Sequence, residues 1–280
     1  MTFVRGLMPS MQADLESIQQ GLDRAQLDAL KAWISPIDFL AQQSDILRHR
    51  HQNTGQWFLS APEFTDWLDG ATSNRTLFCP GMPGAGKTML AAVTVDHLVT
   101  SVRTSTTGVA WLYCSYKSRI EQNVEALLKA ILQQLVLANT PGVVQLAKQL
   151  QQHHNTRGSR PTKDELLETL QTSSAQLTRF YIVIDALDEC AVENGTRRQL
   201  SACLAQMRNS TDVRLMVTSR HIPDIVQEFR DALKIEIRAR DEDIKPFIQG
   251  QLDRLPRCVQ HDPELQRMIQ EKVAGAIDGM

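Results

Sequence analysis

The chain contains 280 residues, of which 42% are hydrophobic and 22% are charged, values that are ordinary for a globular protein with one main domain and a smaller attachment. The formal charge is −2, from 30 basic and 32 acidic residues, so electrostatics gives no general reason to bind nucleic acid or an anionic membrane. Five scattered cysteines without CxxC spacing favour reduced thiols, and no apolar run reaches the length of a membrane helix. We therefore expect a cytoplasmic protein that binds neither nucleic acid nor membrane.

The first 70 residues are predicted to be a helical lead followed by a linker. Apolar residues recur there at alternating spacings of four and three, namely Met11, Leu15, Ile18, Leu22, Ala25 and Ala29. This period predicts an amphipathic helix over 12–33, and packing against the domain is favoured over self-association. Ser35 precedes Pro36 and is therefore biased away from helical geometry, which ends the helix.

A phosphate-binding loop follows the first predicted strand, Thr76–Cys79. Its residues fit the pattern GxxxxGK[ST] and are Gly81, Met82, Pro83, Gly84, Ala85, Gly86, Lys87 and Thr88, with Met89 next in the helix that begins here. Glycines let the backbone bend around a phosphate, and the free N–H groups at the start of the helix favour an anion. In such a loop the lysine reaches the β- and γ-phosphates and the threonine hydroxyl ligates Mg²⁺. The loop predicts a site for ATP or GTP with Mg²⁺.

Beyond the loop helix, the pattern continues with a strand and a helix. A buried strand is predicted over Gly108–Cys114, and a long helix is predicted from Ile120 to Leu135. The polar stretch 153–161 is rich in turn-forming residues and is predicted to be a surface loop. It contains the pair His153-His154 with no Cys, Asp or Glu at ligand spacing around it, so the sequence does not predict a metal site there.

A capping box at Thr162 and Glu165 opens the helix that precedes the second nucleotide motif. In that motif the apolar run Phe180–Ile184 predicts a strand buried on both faces of a parallel sheet, and Asp185 follows it directly. At the carboxyl end of this strand the aspartate would lie beside the phosphate loop and hold Mg²⁺ together with Thr88. This Walker B pattern, paired with the loop upstream, predicts a P-loop nucleoside triphosphatase.

The residues after this aspartate narrow the prediction. Ala186 comes first, and two further acids, Asp188 and Glu189, follow three and four positions after the aspartate. Many ATPases with this loop place a glutamate directly after the aspartate instead. We expect Asp188 to orient the attacking water, with Glu189 as the alternative one residue along. Both acids could instead cap the next helix or pair with Arg197 or Arg198.

Strands that alternate with helices predict a three-layer α/β fold with a parallel sheet over residues 71–240. The run Leu233–Ile237 supplies a fifth strand. The acids of Asp241–Asp243 then fit the first turn of another helix, so residues 241–280 are predicted to begin a small helical subdomain. With Walker B on the third strand, the chain resembles P-loop NTPases whose five-stranded sheet has the order 5-1-4-3-2.

Several segments together resemble the NACHT class of the STAND signalling ATPases, whose Walker B reads Asp, a small residue, an apolar residue, then Asp-Glu. They are similar in particular to the fungal NACHT proteins with a nephrocystin-3-like N-terminal end. The segments that carry the resemblance are 33–36, 42–45, 54–59, 78–81, 113–116 and 185–190, and it extends over residues 33–280.

The resemblance implies further roles and partners. The run Arg214–Arg220 resembles the sensor 1 strand of the class, in which Arg220 would contact the γ-phosphate. Gly55 or Trp57 would lie near the base, although aromatic residues there could equally pack a helix onto the sheet. The class implies a switch between a closed ADP-bound state and an open ATP-bound homo-oligomer, in a protein with effector and sensor parts. Because the last residues resemble a segment that normally continues into more helix, we expect a longer protein.

The function expected from these observations is a signalling switch that binds ATP with Mg²⁺ and hydrolyses it slowly. An AAA+-like remodelling ATPase is the first alternative, weakened by Ala186 and by the lack of an identifiable arginine finger. A scaffold that binds nucleotide without turnover is the second. A small-molecule kinase would need an acceptor site, and none is recognisable in the sequence. A Ras-like GTPase would need an NKxD motif, which the sequence lacks.

Overall fold

A parallel five-stranded β-sheet forms the centre of the computed structural model, which describes residues 24–51, 54–70, 74–138, 140–238, 240, 243, 259 and 262–278. The strands are β1 (Thr76–Pro80), β2 (Thr107–Tyr113), β3 (Arg179–Asp185), β4 (Val213–Ser219) and β5 (Leu233–Lys234). Their spatial order is β2-β3-β4-β1-β5, and all four pairings are parallel. The predicted order 5-1-4-3-2 is therefore confirmed.

The described residues also form helices, several of which pack against this sheet. They are α1 (24–34), α2 (Phe39–Arg48), α3 (Gln56–Leu59), α4 (Pro62–Asp69), α5 (Lys87–His97), α6 (Val124–Leu137), α7 (Pro141–Arg157), α8 (Lys163–Ser174), α9 (Thr196–Ser210), α10 (Pro223–Glu228) and α11 (Pro263–Asp278). A π-helical turn, Leu98–Val102, continues α5. Helices α2 and α5 contact each other and the sheet, whereas α6, α8 and α9 form a second mutually packed group. The three-layer α/β class predicted from the sequence is confirmed.

Burial explains why the central strands read as continuous apolar runs. Every residue of β1, β2 and β4 is buried, and so is every residue of β3 after Arg179. Strands covered by helices on both faces have no solvent side, so they lack the alternation of an exposed sheet. The regular pairing of β5 stops at Lys234, earlier than predicted. The amides of Ile235 and Ile237 still donate to the Phe78 and Pro80 carbonyls, so the rest of the predicted strand lies along β1.

Two predicted boundaries are wrong. Helix α6 begins at Val124 rather than at Ile120, because the Asn123 side chain caps it by accepting from the Ala126 amide, and Ile120 is 94% exposed. Helix α7 continues through the stretch 153–157 that was predicted to be loop. It ends only at Gly158, which has φ 61° and whose left-handed geometry terminates the helix. Both histidines of the polar stretch are therefore helical.

The two ends of the chain are described only in part. Residues 24–34 are helical, which agrees with the end of the helix predicted over 12–33, and its remainder lies outside the described residues. Asp241 and Glu242, predicted to open a further helix, also lie outside them. The predicted capping box is confirmed, since the Thr162 side chain accepts from the Glu165 amide and the Glu165 side chain accepts from the Thr162 amide. Among the described helices, none combines the length and the apolar character needed to cross a bilayer.

Candidate nucleotide-binding site

The phosphate loop connects β1 to α5 at the carboxyl edge of the sheet. Gly84 and Gly86 have φ of 80° and 92°, a region that side chains rarely adopt, and a Cβ at either position would meet no other atom within 4 Å. Glycine is thus required here by backbone geometry and leaves open space on the loop. Because α5 begins directly after Gly86, its free N–H groups lie at this opening. Backbone donors beside an open glycine loop fit a phosphate group.

The Lys87 ammonium is directed back across the loop. Its Nζ donates to the carbonyls of Gly81 at 2.9 Å and Met82 at 2.8 Å. Burial lowers the pKa of Lys87, and this effect is opposed by the negative charges of Asp188 and Asp185. A phosphate would replace these two neutral acceptors with charged oxygens, so that both partners of each contact would be ionised.

Thr88 and Asp185 meet as the metal prediction requires. The Thr88 hydroxyl donates to Asp185 Oδ2 at 2.7 Å, and the aspartate is 4% exposed at the end of β3. Burial raises the pKa of Asp185, although hydrogen bonds from Thr218 and Thr88 and the charge of Lys87 oppose the shift. Because its folded pKa is raised, the ionised aspartate opposes folding once the pH rises above its ordinary pKa. A hydroxyl and a carboxylate are the oxygen ligands that Mg²⁺ prefers, so the pair fits this ion.

Thr218, which sequence reasoning missed, holds the aspartate from the other side. Its hydroxyl donates to Asp185 Oδ1 at 2.6 Å and accepts from the Ala186 amide at 2.9 Å. The residue is fully buried at the end of β4, the strand paired with β3 in parallel. The available signal was the polar residue at the carboxyl end of an otherwise apolar run, combined with a neighbouring strand order that places it beside Asp185.

Ala186 adopts φ 55° and ψ 51°, and it is the one residue other than glycine with positive φ within the described part of the chain. Left-handed geometry costs an L-residue about 1–2 kcal/mol, and the cost is greater for branched side chains. The small residue noted at this position thus has a backbone reason. The bend turns the chain away from β3 into a short 3₁₀ turn, Leu187–Glu189, that carries both further acids.

Asp188 forms an ion pair with Arg220. Its two carboxylate oxygens accept from the Arg220 amide at 3.0 Å and from Nε at 2.5 Å. The Asp188 side chain is 3% exposed and that of Arg220 is 49% exposed, so the guanidinium extends from a buried anchor to the surface. The hydrogen bond that Arg220 donates to Asp188 and the negative charge of Asp188 raise the pKa of Arg220. Asp188 therefore pairs with the predicted sensor arginine rather than with Arg197 or Arg198.

Glu189 faces the end of β2 instead. Its Oε2 accepts from the Tyr116 amide at 3.2 Å, and its backbone carbonyl accepts from Arg119 Nε at 3.2 Å. The next residue, Cys190, is buried with its sulfur 2.8 Å from that of Cys114, and both are free thiols. The acidic turn is thus held by residues that follow β2 as well as by Arg220, which follows β4. The negative charge of Glu189 also raises the pKa of Lys87 and so opposes the effect of burial.

The segment predicted to lie near the base packs against α5. A Cβ on Gly55 would lie 2.9 Å from Leu90 Cδ2, so this segment lies close to the loop helix. The Gly55 amide and Trp57 Nε1 both donate to the Asp243 carboxylate, at 2.8 and 2.9 Å. The Cζ atom of the Arg240 guanidinium lies 3.7 Å from the centroid of the Trp57 ring. A role for Gly55 or Trp57 in holding the base stays a prediction.

Fold and site together define a nucleotide-binding P-loop NTPase of the STAND/AAA+ type. The family model described as "Nephrocystin 3, N-terminal" matches residues 53–220, more than half of the chain, and the chain belongs to this family. The chain is also 27% identical over 234 residues to the vegetative incompatibility protein HET-E-1 of Podospora anserina, which covers 80% of this chain. It spans only 17% of the length of that relative. The predicted resemblance to the fungal NACHT proteins is confirmed.

Two solved structures are similar to this chain at low sequence identity. The ORC1 protein of Aeropyrum pernix in complex with DNA is 14% identical with a TM-score of 0.48, over 74% of this chain and 51% of that one. Domain III of the Thermotoga maritima replication initiation protein DnaA is 13% identical with a TM-score of 0.43, over 80% and 79% of the two chains.

Proposed function

We propose that this chain is a nucleotide-dependent signalling switch that binds ATP with Mg²⁺ and hydrolyses it slowly. The observation that carries the proposal is the contact of 2.7 Å between the Thr88 hydroxyl and the Asp185 carboxylate, which joins the phosphate loop to Walker B. Residues 97 positions apart in sequence form this pair at the opening of the glycine loop. Nucleotide phosphates and a hard cation account for both halves of the arrangement.

In the proposed complex, the open loop and the first amides of α5 would bind the phosphates. Lys87 would leave its two carbonyl partners for the β- and γ-phosphate oxygens. Thr88 and Asp185 would hold Mg²⁺, whose chemistry when bound is to neutralise the charge that develops on the phosphates. Residues 71–240 would form the nucleotide-binding domain, and residues 241–280 would begin the helical subdomain that follows it.

For hydrolysis, the proposal assigns Asp188 or Glu189 to the attacking water and Arg220 to the γ-phosphate. In the structure both oxygens of Asp188 are occupied by Arg220, whereas one Glu189 oxygen accepts from a single amide. Asp188 contacts the Nε atom of the Arg220 guanidinium, so the two terminal nitrogens of Arg220 can reach a phosphate while this contact is kept. Asp188, in contrast, would have to share its oxygens between Arg220 and the attacking water, which supports slow rather than rapid turnover.

The same ion pair favours one alternative, a scaffold that binds nucleotide without turnover. If Asp188 and Arg220 stay paired in the complex, binding remains possible while the water is left without its orienting group. An AAA+-like remodelling ATPase is less well supported, because Ala186 occupies the place of the glutamate that many such enzymes use. The similarity to a vegetative incompatibility protein supports a signalling role, and formation of a homo-oligomer by the complete protein is part of the proposal.

The test is Lys87→Ala, measured by calorimetric titration with ATP and Mg²⁺. Removal of a charged donor to two phosphates should weaken binding by roughly two to three orders of magnitude. Lys234→Ala provides the matched control, since Lys234 is exposed on β5, and it should bind as the wild type does. Equal affinity in the wild type and Lys87→Ala would refute the assignment of the loop. Identification of any nucleotide that co-purifies with the wild type would separate ATP from GTP.

A further inference from the structure

Two histidines and a glutamate form a cluster where α7 ends and α8 begins, outside the nucleotide site. His153 and His154 lie near the end of α7, and Glu165 lies in the first turn of α8. One potential ligand atom from each of the three side chains lies within 4.8 Å of the other two. The sequence argument against a metal here considered only neighbours along the chain, whereas Glu165 reaches the pair because α8 folds back after Gly158.

His154 presents a buried nitrogen that lacks a partner. Its side chain is 4% exposed, and its Nδ1 lies 2.7 Å from the Ser159 hydroxyl oxygen. Among the described residues, Nε2 has no hydrogen-bond partner, although it lies 3.4 Å from Glu165 Oε2. Burial of an unsatisfied polar atom is unfavourable. If Nδ1 donates its hydrogen to Ser159, the Nε2 lone pair is directed at the glutamate and is available to a cation.

Glu165 is held in place by its own helix cap. Its Oε2 accepts from the Thr162 amide and from the Thr162 hydroxyl, both at 2.8 Å. Two of the three proposed ligands therefore have an outer contact that fixes their orientation, Ser159 for the His154 imidazole and Thr162 for the Glu165 carboxylate. Metal sites in proteins commonly have such outer contacts, which set the tautomer and the direction of the ligand.

We infer that His153, His154 and Glu165 bind a divalent transition-metal ion of the Zn²⁺ class. Two imidazoles and a carboxylate suit Zn²⁺, whereas Mg²⁺ prefers oxygen ligands alone. His153 is exposed, so the ion has a path from solvent and a fourth position open to it. The ion would satisfy the buried Nε2 and connect the end of α7 to the start of α8 across the turn between them.

The experiment is a calorimetric titration of the metal-stripped, nucleotide-free chain with Zn²⁺, repeated for His153→Ala and Glu165→Gln. Glutamine still supports a capping box, and His153 is exposed, so both variants should keep the fold, which circular dichroism checks. The wild type should bind a single zinc ion. Loss of an outer contact commonly weakens metal binding by up to about 100-fold, and each variant removes a ligand itself, so each should lose about 100-fold or more in affinity. Mg²⁺ should give no comparable binding.

Two controls separate this site from others. His221→Ala removes a similar histidine–glutamate pair, His221 Nε2 to Glu236 Oε1 at 3.4 Å, for which the described part of the chain offers no third ligand, and it should bind zinc as the wild type does. Asp185→Asn should also leave zinc binding unchanged, which distinguishes the ion from one at the nucleotide site. Absence of zinc binding by the wild type would overturn the inference. So would wild-type affinity in His153→Ala or Glu165→Gln, or a loss in either control.

Discussion

The phosphate loop and the acidic turn after β3 lie at the same edge of the sheet but are built in opposite ways. The loop presents backbone groups around open space, and a Cβ on Gly84 or Gly86 would touch nothing. At the end of β3 and in the acidic turn, by contrast, the carboxylates already have partners. Asp185 accepts hydrogen bonds from two hydroxyls, and Asp188 accepts from Arg220. The loop backbone is open to a ligand, whereas Lys87 and these carboxylates already have protein partners.

This difference shows which parts of a nucleotide site depend on local sequence. The glycines, lysine and threonine of the loop lie within one short segment of sequence, and the loop offers its own backbone N–H groups as donors. The turn depends on Thr218 in β4, on Arg220 directly after β4 and on Tyr116 beyond β2, all distant in sequence. Substitutions in the loop therefore test nucleotide binding, whereas substitutions in the turn test whether its partners control ATP hydrolysis or only the stability of the fold.

The largest effect expected is on turnover. Asp188→Asn should retain ATP binding but reduce single-turnover hydrolysis by about 10²- to 10⁴-fold, the range associated with positioning and general-base assistance. Glu189→Gln, measured in parallel, tests the neighbouring acid. Glu193→Gln is a suitable control, since the Glu193 side chain is 76% exposed and paired only with Arg119 in the salt bridges of the described residues.

These rates decide the role of each acid. Loss in Glu189→Gln with a normal rate in Asp188→Asn would move the water-positioning role by one residue. If both variants hydrolyse ATP at the wild-type rate, the catalytic assignment has no support, and the turn is structural.

Thr218→Val tests whether the hydroxyl network stabilises the turn. The substitution removes a hydrogen bond to a buried carboxylate and leaves the Ala186 amide without its acceptor, so we expect a loss of roughly 2–4 kcal/mol in the free energy of unfolding. Thr218→Ser keeps the hydroxyl and should be clearly more stable than the valine variant. Chemical denaturation measures both. Similar stabilities for valine and serine would show that the hydroxyl contributes little.

The smallest effect concerns the backbone at Ala186. Ala186→Gly should raise the free energy of unfolding by about 0.5–1 kcal/mol, because relief of left-handed strain exceeds the entropy cost of glycine in the unfolded chain. Ala186→Val, which adds a β-branched side chain at φ 55°, should lower it. Thermal melts of the three proteins give the comparison, and a glycine variant less stable than the wild type would argue against strain at this position.

Sequence patterns alone located much of this architecture. Buried runs identified the sheet, and the capping box at Thr162 was confirmed because it depends only on residues three positions apart. The start of α6 was misplaced since the apolar period extended past its Asn123 cap, and the end of α7 was missed because polar residues can be helical until a glycine stops them. In the site, Thr218 and the Asp188–Arg220 pair were not predicted, since each contact depends on strand pairing.

The central claim, that Thr88 and Asp185 hold Mg²⁺ beside a bound nucleotide, is tested most directly by one calorimetric comparison. ATP is titrated into the wild type and into Asp185→Asn, each with Mg²⁺ and with excess EDTA. The account predicts that Mg²⁺ strengthens ATP binding to the wild type by about tenfold or more, since one charge-assisted contact contributes about 1.5–3 kcal/mol, and that this dependence disappears in Asp185→Asn. An Asp185→Asn variant that keeps the full Mg²⁺ dependence of the wild type would contradict it.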